Sequence, residues 1–160
     1  MLKNYNDVTI ESDQTLRGWF IRAEKGLSKK TIVFMHENAG NIGLRMDYFE
    51  HMVSSLNVNI LTMAYRGYSQ SEGTPTEEGL KTDALAIMKW AQNNRDSIVA
   101  PDGDLFLLGR SLGGAVAAYI ATHPDTPYDL FSGVIIENSF TSISDMVDVM
   151  FYPPITTFKD

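Results

Sequence analysis

"DLFLLGRSLGGAVAAYIA", residues 104–121, decides how the rest of this chain is read. Residues 104–109 open on one charged side chain and continue as an apolar run, the pattern of a strand buried on both faces. From Leu112 onward small and apolar residues read as a helix. Between them lies Gly109-Arg110-Ser111-Leu112-Gly113, a Gly-x-Ser-x-Gly pentapeptide. With Gly and Ser each at roughly 7% of residues, chance alone gives it in about one chain in twenty of this length, so the pentapeptide by itself says little. Its place at a strand-to-helix junction says more. There Ser111 has to adopt a strained backbone, and Gly109 and Gly113 leave room for the tight turn of a nucleophile elbow. Gly113, Gly114, Ala115, Ala117 and Ala118 let the helix lie close to the sheet with its N-terminus aimed at the serine, where the N–H of Leu112 can stabilise an oxyanion. Without chemistry, the same stretch is a buried helix beside a glycine turn.

Working outward, "DVTIES" and "TLRGWFIRA" are two short strands joined by the polar turn Ser12-Asp13-Gln14, an antiparallel hairpin. "KTIVFMH" (30–36), "VNILTMAY" (58–65) and "FSGVIIENS" (131–139) are further apolar strands. Ile42, Met46, Phe49, Val53 and Leu56 keep helical spacing between the first two. A second helix follows residue 73, with Thr74 as N-cap, Pro75 in the first turn, Glu77 as the acid of a capping box and Leu80, Ala84, Ile87 and Ala91 as its inward stripe. Strands alternating with helices predict a doubly wound, mainly parallel α/β sheet. The strands near 31–36, 58–64, 104–109 and 132–137 are expected to be parallel, with the serine strand between the first and the last of these.

Composition removes several classes of function. Hydrophobic content of 44% and charged content of 21% are ordinary for a globular protein, and 160 residues suffice for a single core. No apolar run reaches the length of a membrane span, and no signal peptide is visible at the start. Thirteen basic against twenty acidic residues give a net charge of −7, with no basic cluster beyond Lys29-Lys30, which argues against nucleic acid or an anionic membrane as the main partner. The absence of cysteine excludes disulfides, a thiolate nucleophile and thiolate metal sites.

The segments "GWF", "HENAGN", "YRGYSQSEGTPTEEGL", "GRSLGG" and "ENSFTS" together resemble the α/β-hydrolase superfamily, and within it the eukaryotic membrane serine hydrolases of the bud-emergence type, in order and spacing across essentially the whole chain. The resemblance implies a truncated α/β-hydrolase fold, a single incomplete domain over residues 1–160 that corresponds to the N-terminal two-thirds of such an enzyme. It implies Ser111 as nucleophile, Leu112 and Asn38 as backbone donors of the oxyanion hole, and Gly109 and Gly113 as the elbow glycines. Glu37 stands where such enzymes usually have glycine. The implied chemistry is hydrolysis of an acyl ester or thioester, with no cofactor and no metal. Members of the family often carry an N-terminal membrane anchor and none precedes Met1 here, so the compartment stays open: cytoplasmic or organellar, and membrane-associated if an anchor is missing from this chain.

A serine hydroxyl needs a general base, normally a histidine oriented by a carboxylate. In the family both follow the serine by further strands, whereas only about twenty residues follow Phe140 here, reading as one helix and a proline stop. His36 ends a strand and reads as structural, His51 lies mid-helix as a packing or surface residue, and His123 sits at a helix end just before Pro124, suited to capping. Asp145 and Asp148 line the last predicted helix, and Glu77-Glu78 reads as helix capping rather than an acid–base pair. His36-Glu37 lacks the second histidine of a zinc-protease helix, and "GRSLGG" lacks the lysine of a phosphate-binding loop. Two readings remain open. In one, a C-terminal portion supplies the acid and the histidine; in the other, the chain is a catalytically inactive hydrolase-fold subunit in a larger assembly. In both, the apolar strand 132–137 is expected to need a C-terminal segment or a protein partner along its edge.

Overall fold

A computed structural model describes residues 4–39 and 42–139 of the chain. Six strands form one sheet: β1 (Tyr5–Glu11), β2 (Thr15–Ile21), β3 (Lys30–Met35), β4 (Asn59–Met63), β5 (Asp104–Arg110) and β6 (Gly133–Glu137). Their spatial order is β1-β2-β4-β3-β5-β6. The hairpin β1–β2 turns at Ser12-Asp13-Gln14 and pairs antiparallel to β4, while β4, β3, β5 and β6 run parallel. The serine strand β5 therefore lies between β3 and β6, as the sequence predicts.

Four α-helices accompany the strands among the described residues: α1 (Met46–Leu56), α2 (Glu77–Asn93), the single turn α3 (Arg95–Ile98) and α4 (Leu112–Thr122). Alternation along the parallel strands sends Ile32 and Phe34 to one face of the sheet and Val33 and Met35 to the other. The first pair meets Phe49, Met52 and Val53 of α1. The second belongs to the larger core with Ala84, Ile87, Met88 and Ala91 of α2 and Val116, Ala117 and Ile120 of α4. Helices thus cover both faces, and the sheet is doubly wound.

Two local readings need correction. The helix predicted from residue 42 begins as a 3₁₀ turn, Ile42–Arg45, before α1. The N-cap of α2 is Thr76, not Thr74: Thr76 is extended, at φ −142° and ψ 158°, and its hydroxyl accepts the N–H of Gly79 at 3.0 Å. Pro75 stays in the loop because it packs on Gly67, whose φ of 74° turns the chain so tightly that a β-carbon there would lie 2.4 Å from the proline ring. With glycine at the third helical position there is no reciprocal capping box. Glu77 and Glu78 instead pair with Lys81 at 2.9 and 2.8 Å.

β6 is an edge strand of this sheet. Val134, Ile135 and Ile136 are 43%, 47% and 52% exposed within the described residues, an apolar strand with one side unpaired by any of them.

Candidate active site

The C-terminal ends of β3, β5 and β6 lie side by side, with Met35 opposite Gly109 and Gly109 opposite Ile136. Ser111 follows directly on β5 and is the N-cap of α4, at φ 52° and ψ −119°. A non-glycine residue there is strained by steric contact of its β-carbon with the backbone. The elbow nevertheless closes because two neighbours have no side chain. A β-carbon on Gly109 would lie 2.0 Å from the carbonyl oxygen of Gly113, and one on Gly113 would lie 1.9 Å from that of Met35. Ser111 makes no side-chain capping bond to its own helix. The hydroxyl is left free of that task.

Leu112 opens α4 and is buried, while the seating of Gly113 on Met35 brings this first turn against the root of the loop that carries Asn38. Asn38 is exposed and its side-chain oxygen accepts a hydrogen bond from the Tyr68 hydroxyl. Glu37, the residue in place of glycine, turns its carboxylate inward to Arg45 of the 3₁₀ turn; its second oxygen, Oε2, is buried without a hydrogen-bond partner among the described residues.

His36 is fully engaged elsewhere. Its Nδ1–H donates to the Glu37 carbonyl at 2.7 Å and its Nε2 accepts the N–H of Tyr65 at 3.2 Å, which fixes the neutral ring. The ring stacks on Tyr65 at 4.0 Å, and burial lowers its pKa to about 4. His51 is on the surface of α1. His123 is the C-cap residue of α4, and its Nδ1 accepts the N–H of Asp125 at 3.1 Å. None of the three is hydrogen-bonded to Ser111 among the described residues. Phe140, Asp145, Asp148 and the predicted terminal helix lie outside the described residues, as do Gly40 and Asn41.

The loop after β4 braces this region. Arg66 is buried between Asp83 of α2 and Asp13 of the hairpin turn, at 2.7 and 2.6 Å, and its N–H donates to Asp83 at 2.8 Å. Hydrogen bonds to Asp83 and then Asp13 raise the Arg66 pKa further, and the bond from Arg66 holds Asp13 below its usual range. The adjacent Tyr65 and Tyr68 lie against His36.

The sequence and the fold are similar to those of known proteins. The chain is 36% identical to the α/β-hydrolase domain-containing protein WAV2 of Arabidopsis thaliana over 91% of its own length and 46% of that protein. It is 33% identical to protein bem46 of Schizosaccharomyces pombe over 94% of itself and 46% of the relative. The chain belongs to the α/β-hydrolase superfamily. No family model matches the chain. It is 32% identical to the lysophosphatidylserine lipase ABHD12 of Bos taurus over 74% of itself and 29% of that enzyme. Its fold matches an α/β hydrolase from Vibrio vulnificus at a TM-score of 0.74 and 22% identity, over 92% of this chain and 50% of that one. An esterase of Pyrococcus furiosus matches at 0.61 and 22%, over 77% and 48%. The chain thus spans about half the length of WAV2, bem46 and the two solved structures, and less of ABHD12.

Three side chains of the site were given no role by the sequence. Arg110 and Glu137 form an ion pair at 3.1 Å across β5 and β6, and the Tyr48 hydroxyl donates to Glu137 at 3.1 Å. Burial, followed by the Glu137 charge, raises the Tyr48 pKa. The facing of Arg110 and Glu137 in register was the available signal, and it required the strand order first. Among the described residues no cluster of His, Asp and Glu could hold a metal ion, and no helix is long and apolar enough to cross a membrane.

Proposed function

We propose that this chain supplies the nucleophile and oxyanion-binding half of a serine hydrolase that cleaves an ester or thioester of a fatty acyl group. The observation that carries this reading is the backbone of Ser111, held at φ 52° between two glycines that admit no side chain, with a hydroxyl that does not cap its own helix. Non-glycine strain of this kind costs ~1–3 kcal/mol and persists where the surroundings enforce it. A serine kept there without a capping role fits a nucleophile.

In this mechanism the Ser111 hydroxyl oxygen attacks the acyl carbonyl carbon as a general base removes its proton. The negative charge on the former carbonyl oxygen is met by the N–H groups of Leu112 and Asn38 at the positive end of α4. Collapse expels the alcohol or thiol, which takes up the proton, and water then cleaves the acyl-serine by the same route. His36 cannot be the base while both its ring nitrogens hold backbone groups. The base and its orienting acid belong to the half of the relatives' length that this chain does not span, and residues 1–160 are then one incomplete domain.

The similarity to the lysophosphatidylserine lipase ABHD12 supports an ester substrate, and the half-exposed β6 supports a continuation of the sheet past this strand. Charging Ile135 on that edge tests the second point. Ile135→Lys is expected to weaken association of this chain with a separately expressed C-terminal portion; unaltered association would remove β6 from the interface. Fluorophosphonate labelling of the complete natural protein tests the first, with Ser111→Ala expected to abolish it. Labelling that survives Ser111→Ala would reassign the nucleophile.

A further inference from the structure

Both backbone polar groups of Ser111 are held from the end of the neighbouring strand, and we propose that Ser139 and Glu137 are positioning residues that fix the serine's backbone and so aim its hydroxyl. The proposal rests on Ser111 being the nucleophile. The carbonyl oxygen of Glu137 accepts the Ser111 N–H at 2.9 Å, and the Ser139 hydroxyl donates to the Ser111 carbonyl at 2.9 Å. Asn138 between them adopts φ 48°, a left-handed turn, and on either side of it the carbonyl of 137 and the hydroxyl of 139 reach the same residue.

Two further contacts make this a built arrangement. A β-carbon on Gly114 would lie 2.3 Å from the Ser139 oxygen and 2.4 Å from its β-carbon, so the absence of a side chain at 114 is what admits Ser139. This gives the last glycine of "GRSLGG" a role that the pentapeptide alone does not explain. Glu137 is fixed in turn by its carboxylate, one oxygen taken by Arg110, which faces it in strand register, and the other by Tyr48 of α1. A strained residue keeps its conformation only where neighbours over-determine it, and a small misplacement of a reacting group is expensive in rate. Ser139 and Glu137 touch neither substrate nor the reacting atoms. They act through the backbone of Ser111.

The test is the kinetics of fluorophosphonate labelling of the complete natural protein that carries this chain, separated into the maximal rate of inactivation and the inhibitor concentration for half that rate. Ser139→Ala is expected to lower the maximal rate about tenfold or more while leaving the half-saturating concentration and the thermal midpoint unchanged. Glu137→Gln keeps the contact with Tyr48 and weakens the pair with Arg110, and is expected to lower it about threefold. Labelling of the parent together with a parental maximal rate in Ser139→Ala overturns this proposal and leaves the nucleophile reading standing. If Ser139→Ala does not fold and a folded Glu137→Gln labels at the parental rate, both residues are structural and the proposal fails. A parent protein that is not labelled at Ser111 overturns the nucleophile reading, and this inference with it.

Discussion

The backbone N–H of Ser111 donates to the carbonyl oxygen of Glu137 at 2.9 Å, tying the candidate nucleophile to the end of the next parallel strand. The elbow is therefore a joint of three strands. β5 delivers the serine, β3 receives the first turn of α4 through Gly113, and β6 holds the serine's own backbone.

Strain at this joint is measurable. Ser111→Ala keeps a β-carbon at φ 52° and retains the strain, whereas Ser111→Gly removes it. After allowing for the greater freedom of glycine in the unfolded chain, Ser111→Gly is expected to be about 1 kcal/mol more stable than Ser111→Ala. Urea unfolding of the two variants checks this, and equal midpoints would mean that the position is not strained.

Gly113→Ala forces a β-carbon to 1.9 Å from the Met35 carbonyl oxygen, a backbone atom that cannot swing aside. The helix must lift from the sheet, at a cost of about 3 kcal/mol or more. Loss of the cooperative urea transition, or a large fall in its midpoint, is the expected result; a parental midpoint would show that α4 does not sit against β3.

The parallel strands, the hairpin and the serine elbow were legible because each is written locally, as an apolar run, a polar turn or a glycine pattern. The start of α2 was misplaced because Thr74 and Thr76 both precede acidic residues, and only the packing of Pro75 on Gly67 decides between them. The hold on Ser111 was invisible for a different reason. Glu137 and Ser139 lie 26 and 28 residues away in sequence and become its neighbours only through strand order. His36 was read as structural, and its two backbone hydrogen bonds and stacking on Tyr65 are what that role consists of.

His36 predicts a pH dependence of stability. Its pKa is about 4 in the fold against an ordinary value of 6.5, with burial as the cause. Between these values the unfolded chain binds the proton and the folded one does not, so the contribution is fully present above pH 6.5 and falls away as pH drops towards 4. It amounts to up to about 3 kcal/mol. Urea titrations from pH 7.5 to 4 should show this slope, and His36→Gln should flatten it. A slope that survives the substitution would belong to other groups.

Asp83 and Asp13 share Arg66 but should matter unequally. The Asp83 side chain is fully buried and the Asp13 side chain is 57% exposed. Asp83→Ala leaves a guanidinium buried with half its partners and is expected to cost about 3 kcal/mol or more. Asp13→Ala should cost far less, because that carboxylate is screened by water. Comparable losses in the two unfolding curves would contradict the burial of this pair.

The most direct test of the central claim is fluorophosphonate labelling of the isolated 160-residue chain beside the complete natural protein that carries it. On the proposal that the base lies outside residues 1–160, the isolated chain should be nearly inert, since losing a triad member removes several powers of ten from the rate. The complete protein should label at Ser111 and lose labelling on Ser111→Ala. Strong labelling of the isolated chain that His36→Ala removes would contradict the account, because the base would then be the histidine held here by two backbone hydrogen bonds.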